Sequence, residues 1–349
     1  MLQRRQLKNL DAREHRPGHF DPRHPQLLLL ARRWQLTSRQ FRRRVSLAHS
    51  AAVPELPDIT VYVERLQDLA GGQRLSQVRM LNPFVLRTAV PPIGAIEGQR
   101  LLTVERLGKR VVLGLDNGLL LVIHLMIAGR LLWRLPGARP LGRIGLANLA
   151  FESGSLLLTE AGTQRRASIH LLADRAALAA MDPGGLELAD CTAEQLLARL
   201  QAENHTLKRA LTDPRQLSGI GNAYSDEILH RARLSPVLLT KALDLATVQR
   251  LLDACRAVVR EWTSRLRTEA TVKPNGWPEK VTAFRPEMAV HGRFGLPCPD
   301  CSAPVQRIVH ADNETNYCAR CQTGGKLLAD RALSRLLKAS WPKHIDELA

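Results

Sequence analysis

Six cysteines stand in the 349-residue chain, and four of them fall as Cys298-Pro-Asp-Cys301, sixteen residues, then Cys318-Ala-Arg-Cys321. No other feature constrains the fold of this chain as tightly. Two Cys-x-x-Cys knuckles at this spacing can close on one tetrahedral Zn²⁺, whose soft side suits thiolates. Four protein ligands leave no open coordination position, so the zinc expected here is structural, one per chain. A pair of redox motifs or disulfides is the competing reading. Cys191 and Cys255 stand apart and read as buried thiols.

Charge comes next. The chain carries 50 Lys and Arg against 33 Asp and Glu, a formal net charge of +17. A surface this basic gains free energy by displacing counterions from phosphates, so a polyanion is the expected partner. Hydrophobic residues make up 45% of the chain, enough for real cores. No apolar run approaches the roughly 18 residues of a membrane span, which excludes a membrane protein, and the charge balance excludes an acidic disordered one. The positive charge is uneven: residues 1–53 hold 12 Lys and Arg and 3 Asp and Glu, a net of +9. This Arg-rich stretch has no lasting apolar period. It reads as a mis-set translation start, with a removed leader or a nucleic-acid-gripping arm as alternatives.

At Val53-Pro54-Glu55-Leu56-Pro57-Asp58-Ile59 the texture changes. Ile59, Tyr62, Val63, Leu66 and Leu69 share one helical face, and Gly71-Gly72 ends the run. Pro57 suits the first turn and Asp58 the positive end of the helix dipole. From Leu101 the chain reads as strands, through the turn signal Asp116-Asn117-Gly118 to an apolar strand at 119–125 and another at 151–159. Further on, Asp213-Pro214 stops one helix, Gly219 and Gly221 permit a tight turn, and Asn222 is placed to cap the next helix. That helix N-terminus would present N–H groups to a phosphate, with Lys208 close by.

Pro54-Glu55-Leu56-Pro57, Gly219-Ile220-Gly221-Asn222 and the cysteine knuckles, in this order, resemble the formamidopyrimidine-DNA glycosylase/endonuclease VIII family of base-excision repair enzymes. The resemblance covers about Pro54 to Cys321. It implies an α+β chain: an N-terminal catalytic β-sandwich with a flanking helix (54–182), a helix–two-turns–helix DNA-binding domain (183–290), a four-cysteine zinc finger (291–325) and a helical extension (326–349). It also implies a bifunctional DNA glycosylase and AP lyase. Pro54 would be the nucleophile once its nitrogen is a free secondary amine, since an internal proline nitrogen is an unreactive tertiary amide. Glu55 would be the acid/base partner, and Lys109 would complete the catalytic set by contacting the phosphate near the lesion. Lys208, Asn222, His124, Arg165 and Arg166 would bind DNA, with Ile127 as an apolar wedge. The target base must leave the helix to be reached.

The partner implied is damaged DNA in duplex form, bound by a monomer in a bacterial cytoplasm, associated with the nucleoid and with no membrane partner. This sequence departs from the family at two places. Asn313 stands where a finger Arg is usual, which removes a bidentate phosphate contact. No Phe follows Arg165-Arg166. The alternatives are a catalytically silent, zinc-containing binder of DNA damage, a member specialised for abasic or single-stranded DNA, and a zinc-ribbon RNA-binding protein. Finally, Leu327, Leu328, Leu333, Leu336 and Leu337 suggest an amphipathic helix after the finger.

Overall fold

The structure is a computed structural model, and it describes residues 53–136, 142–161, 165–278, 285–310, 313–328 and 342–348. The Arg-rich stretch 1–52 lies outside these residues. The first element is helix α1, Leu56–Ala70. Its buried stripe is Ile59, Tyr62 and Leu66, with Val63 and Leu69 at the margin, as the spacing predicts. Pro57 sits in the first turn, where a missing N–H breaks no helical bond, and Gly71 closes the C-terminus.

Eight strands follow: β1 (Gln77–Met80), β2 (Leu101–Leu107), β3 (Arg110–Leu115), β4 (Leu120–His124), β5 (Gly129–Arg134), β6 (Gly145–Ala150), β7 (Ser155–Glu160) and β8 (Ser168–Leu172). They make two four-stranded sheets, ordered β1-β6-β7-β5 and β2-β3-β4-β8. Alternate residues of both sheets, including Val111, Leu113, Leu121, Ile123, Leu131, Leu149 and Leu158, meet with the α1 stripe in one core. This is the expected β-sandwich with a flanking helix. The run Leu102 to Leu115 is two strands, because Gly108 takes a φ of 60° and turns the chain at Lys109. Strands β1, β5, β6 and β8 lack the near-continuous apolar runs of β3 and β4, and the sequence pattern alone does not mark them.

Short helix α2 (Arg175–Ala179) leads to the helical part: α3 (Ala193–Ala202), α4 (Leu207–Thr212), α5 (Asn222–Ala232) and the long α6 (Leu245–Thr271). Asp213 caps the end of α4 ahead of Pro214. The finger is the hairpin β9 (Gln306–His310) and β10 (Asn313–Tyr317) with helix α7 (Ala319–Thr323). Leu327 and Leu328 are not helical: Leu327 N–H donates to the Lys343 carbonyl, and Ile345 returns to the finger core. Leu333, Leu336 and Leu337 lie outside the described residues.

Sandwich and helices interlock through two exchanged side chains. Leu56 packs into the helical core. Trp277, which follows α6, packs into the sandwich core, 5.4 Å from the Tyr62 ring and 6.2 Å from Trp133, and its Nε1 donates to the Leu131 carbonyl at 2.9 Å. Trp277→Ala would leave a cavity and an unmet carbonyl, a loss of about 3–5 kcal/mol. A urea titration followed by far-UV circular dichroism should show the midpoint fall by that equivalent.

Candidate active site

The N-terminus of α5 is where the parts converge. Gly219 has a φ of 81°, and its carbonyl accepts from Leu56 N–H at 2.9 Å, so the glycine turn is stitched to the start of α1. That brings Glu55 onto the end of α5. Its Oε2 accepts from Gly221 N–H at 2.6 Å and from Tyr224 N–H at 3.3 Å, and its Oε1 accepts from Ala223 N–H at 2.8 Å. The sequence places Asn222 as the cap of this helix and a phosphate at its N–H groups. Both expectations are corrected here: Asn222 is the first helical residue, and the buried Glu55 carboxylate takes those N–H groups. A negative charge at this position is favoured by the same orphan donors and dipole that a phosphate would use.

Lys109, at the tip of the β2–β3 hairpin, reaches the same point. A Cβ at Gly221 would lie 2.4 Å from Glu55 Cδ and 2.6 Å from Lys109 Nζ, so a side chain there would displace the carboxylate and the amine from these positions. Burial lowers the pKa of Lys109, and Glu55 and Asp58 oppose that shift. Behind Glu55 lies Asp58. Its Oδ2 accepts from Glu55 N–H at 2.9 Å, its Oδ1 has no partner among the described residues, and burial pushes its pKa up to about 7. A signal for Asp58 was present in the sequence: a carboxylate three residues past a helix N-cap commonly turns back to the cap N–H.

A cleft of about 240 Å³ opens in front of this group, lined by Val53, Lys109, Arg110, His124, Met126, Ile127 and Gly219 among others. Pro54 is buried beside it. His124 is half-buried, and desolvation with Arg110, Lys109 and His170 nearby pushes its pKa down to about 4, so it is neutral. Met126 holds a φ of 52°, unusual for a side chain of its size, and this turn presents Ile127 to the cleft.

Lys208 is buried, and its Nζ donates to the Asn222 carbonyl at 2.6 Å and to Asp226 Oδ1 at 2.5 Å. Asn222 Nδ2 donates to the Glu314 carbonyl of the finger at 3.0 Å. Arg165 and Arg166 are exposed, and neither lines the cleft; the Arg165 guanidinium donates to the Arg143 carbonyl.

The four knuckle cysteines form one cluster, their Sγ atoms all within 4.8 Å of one another. Cys298 and Cys321 are 3.9 Å apart and Cys301 and Cys318 are 3.3 Å apart, with no disulfide among them. Bonds of about 2.3 Å to a central zinc imply edges of about 3.8 Å, so the donor set fits that ion. Cys191 and Cys255 are buried free thiols, as expected.

Sequence reasoning missed the residues that tie the finger down. The Asp226 Oδ2 accepts from His291 Nδ1 and from Asn316 N–H, and the Glu227 carboxylate accepts from the N–H groups of Ala289, Val290 and His291. His230 Nε2 lies 3.3 Å from Cys298 Sγ. These residues are scattered in sequence and carry no local pattern.

Three family models match along the chain: the formamidopyrimidine-DNA glycosylase N-terminal domain at 53–169, its H2TH domain at 181–271, and the zinc finger found in that enzyme and isoleucyl-tRNA synthetase at 295–324. The formamidopyrimidine-DNA glycosylase of Thermus thermophilus is 34% identical over 283 residues, spanning 78% of this chain and all of that one. A formamidopyrimidine-DNA glycosylase-like protein of Mycobacterium tuberculosis is 40% identical over 154 residues, covering 44% of this chain and 94% of that one. The crystal structure of the Thermus enzyme superposes with a TM-score of 0.65 at 31% identity, covering 77% of this chain and 98% of that one. A complex of the Lactococcus lactis enzyme with DNA containing an abasic site gives 0.69 at 21% identity, over 77% and 99%, a likeness of fold. The chain belongs to the formamidopyrimidine-DNA glycosylase family.

Asp58 yields a test of this geometry. An acid whose pKa is about 7 in the fold and about 3.9 when unfolded holds its extra stability below pH 4 and loses it as pH rises through 7. Asp58→Asn removes that dependence. The stability of the variant relative to the parent should rise between about pH 4.5 and pH 7.5, by up to about 4 kcal/mol, in urea unfolding at the two pH values.

Proposed function

We propose that this chain is a bifunctional DNA glycosylase and AP lyase acting on oxidised bases. The observation that carries the proposal is the seating of Glu55, the residue after Pro54, on the α5 N-terminus with Lys109 Nζ against the same glycine. Such positioning would serve a nucleophile held at a sugar carbon. The working form would begin at Pro54, by a start at codon 53 or by removal of residues 1–53.

In that form the Pro54 amine attacks C1′ of a flipped-out nucleotide. The C1′–N bond to the base breaks, and the base leaves with its bonding electron pair and a proton. Opening of the sugar ring then gives an iminium between Pro54 and C1′. The ring oxygen takes a proton drawn from solvent, for which Glu55 is the proposed relay. The iminium is an electron sink that acidifies the C2′ proton. Loss of that proton expels the 3′ phosphate, and a second elimination expels the 5′ phosphate. An α-amine has an ordinary pKa of about 7.7–8.0, so a reactive neutral fraction exists near neutral pH.

Lys109 would hold a phosphate beside the lesion, and His124, Lys208 and Asn222 would hold the backbone. Ile127 would fill the stack. Arg165 and Arg166 are proposed as further DNA contacts outside the cleft. Cys298, Cys301, Cys318 and Cys321 would hold a structural zinc, which stabilises the finger and supplies no reacting group.

Borohydride trapping on an abasic duplex tests the amine mechanism. A chain beginning at Pro54 should form a covalent adduct, and Pro54→Gly in that chain should form less than a hundredth of it. The 349-residue chain should form none, because its Pro54 nitrogen is an amide. Incision of damaged duplex unchanged in both Pro54→Gly and Glu55→Gln would leave a DNA-damage binder with a contaminating nuclease as the better account.

Metal analysis tests the finger. One zinc per chain is expected, and Cys301→Ser should lower zinc content and loosen DNA binding at least tenfold. No zinc in the native protein would return the cysteines to a redox role.

A further inference from the structure

The outward face of the second sheet is divided into two unlike halves. Val112, Leu120, Val122 and Leu172 form the apolar half and are covered by Leu178 of α2 and Met181. The other half is basic. Arg110 pairs with His124 across β3 and β4, and His124 pairs with Ser168 across β4 and β8. His170, two residues beyond Ser168, points to the same face, diagonal to His124 and within reach of it. The segment before β2 then closes the edge: Leu86 bridges Ile169 in parallel, Arg87 N–H donates to the Ile169 carbonyl, and Leu171 N–H donates to Thr88 Oγ1. Arg87 is thereby set beside His170.

These side chains are poorly employed within the fold. Arg110 makes one long hydrogen bond, to the Met181 carbonyl at 3.4 Å. His170 Nδ1 is buried without a partner among the described residues. Among the described residues the side chains of Arg87 and His124 have no hydrogen bond or ion pair. One acid, Asp182, faces Arg110 across the cleft, and its Oδ1 is occupied by the Gly184 N–H. Burial and the neighbouring cations depress the pKa of both His124 and His170. Two guanidinium charges thus stand beside two neutral imidazoles, with Asp182 opposite Arg110 at no closer than long range, and a folded chain keeps such a cluster more readily when an anion relieves it. The cluster adjoins the cleft through Arg110 and His124.

We infer that Arg110 and His170, flanked by Arg87, form a seat for one DNA backbone phosphate beyond the phosphate at Lys109. The inference rests on the reading of the chain as a DNA-acting enzyme. The oxygens of a phosphodiester match what the seat offers: a guanidinium fork from Arg110, a ring N–H from His170 and a second guanidinium at the rim. A phosphate contact carries no base information, so the seat would act on damaged and undamaged duplex alike. It would set where the strand lies across the sandwich.

Salt titration of binding reads this directly. Each neutralised phosphate contributes about 0.9 to the slope of log affinity against log salt concentration. Affinity would be measured by fluorescence anisotropy on full-length protein, with an undamaged duplex and one bearing an abasic site. The double variant Arg87→Gln/Arg110→Gln should lose about 0.9 of slope on both duplexes. Arg110→Lys, which keeps the charge, should retain most of it. His170→Gln should weaken binding roughly threefold to tenfold with the slope kept, since the ring is neutral at about pH 7.5. If the parent binds both duplexes and the double variant keeps the parent slope, or His170→Gln keeps the parent affinity, the seat is overturned while the glycosylase reading stands. A parent that binds no duplex overturns both.

Discussion

The contact on which the rest depends is the Glu55 carboxylate against the first turn of α5. Three backbone N–H groups that a helix leaves unpaired are all directed at one side chain from the far end of the chain, 166 to 169 residues away. This contact settles several matters together. It fixes the orientation of α1, which begins at the next residue and whose stripe fills the sandwich core. It keeps its geometry only while 221 carries no side chain. It also fills a site that could have served an anion, so any DNA phosphate must be met by side chains around the helix end.

From that point α5 acts as a strut of 11 residues. Glu55 caps its N-terminus, Asp226 and Glu227 in its middle take the finger's backbone N–H groups, and His230 near its other end reaches Cys298. One helix therefore carries position from the cysteine cluster to the proposed acid/base residue. Asp226 is buried, yet Lys208, His291 and Asn316 surround it, and the Lys208 charge with the hydrogen bond from His291 holds its pKa low despite burial. Removing Lys208 would strand the Asp226 charge in the interior, which costs far more than the pair contributes when whole. The finger is thus fixed as firmly by buried polar contacts as by its small apolar core.

How much of this was legible follows from where each signal resides. The cysteine cluster, the α1 stripe and the glycine turn are local patterns, and the structure has all three where the sequence places them. The β-sandwich was legible in class but only partly in strands, because β1, β5, β6 and β8 lack the near-continuous apolar runs of β3 and β4 and gain their pairing from neighbours. The cap of α5 was misread for a physical reason. Asn222 has the right chemistry by its position in sequence, but a carboxylate delivered by tertiary folding has stronger acceptors for the same donors. Trp277, Asp226 and His230 act over long sequence distances, and no spacing rule could have found them. The resemblance to the family supplied Lys109, which in composition is one surface lysine among many.

The basic charge of the chain divides on similar lines. Several cations near the site are committed to the fold: Arg106 pairs with Glu187 and bonds to Ser218, Arg267 forks onto Glu64, and Lys208 is held by Asp226. These pairs join the sandwich to the helices or brace the helices, and their fields are largely cancelled at close range. Among the described residues Arg110 and Arg87 have no such acid in contact, and the imidazoles of His124 and His170 beside them are neutral. Net charge says only that a polyanion is welcome. The distinction between neutralised and uncommitted cations says where it lies, because a phosphate gains most from cations that have nothing to give up. By that criterion the proposed DNA path leaves the cleft over the basic half of the second sheet, while Lys208 meets any phosphate with its charge already shared with Asp226.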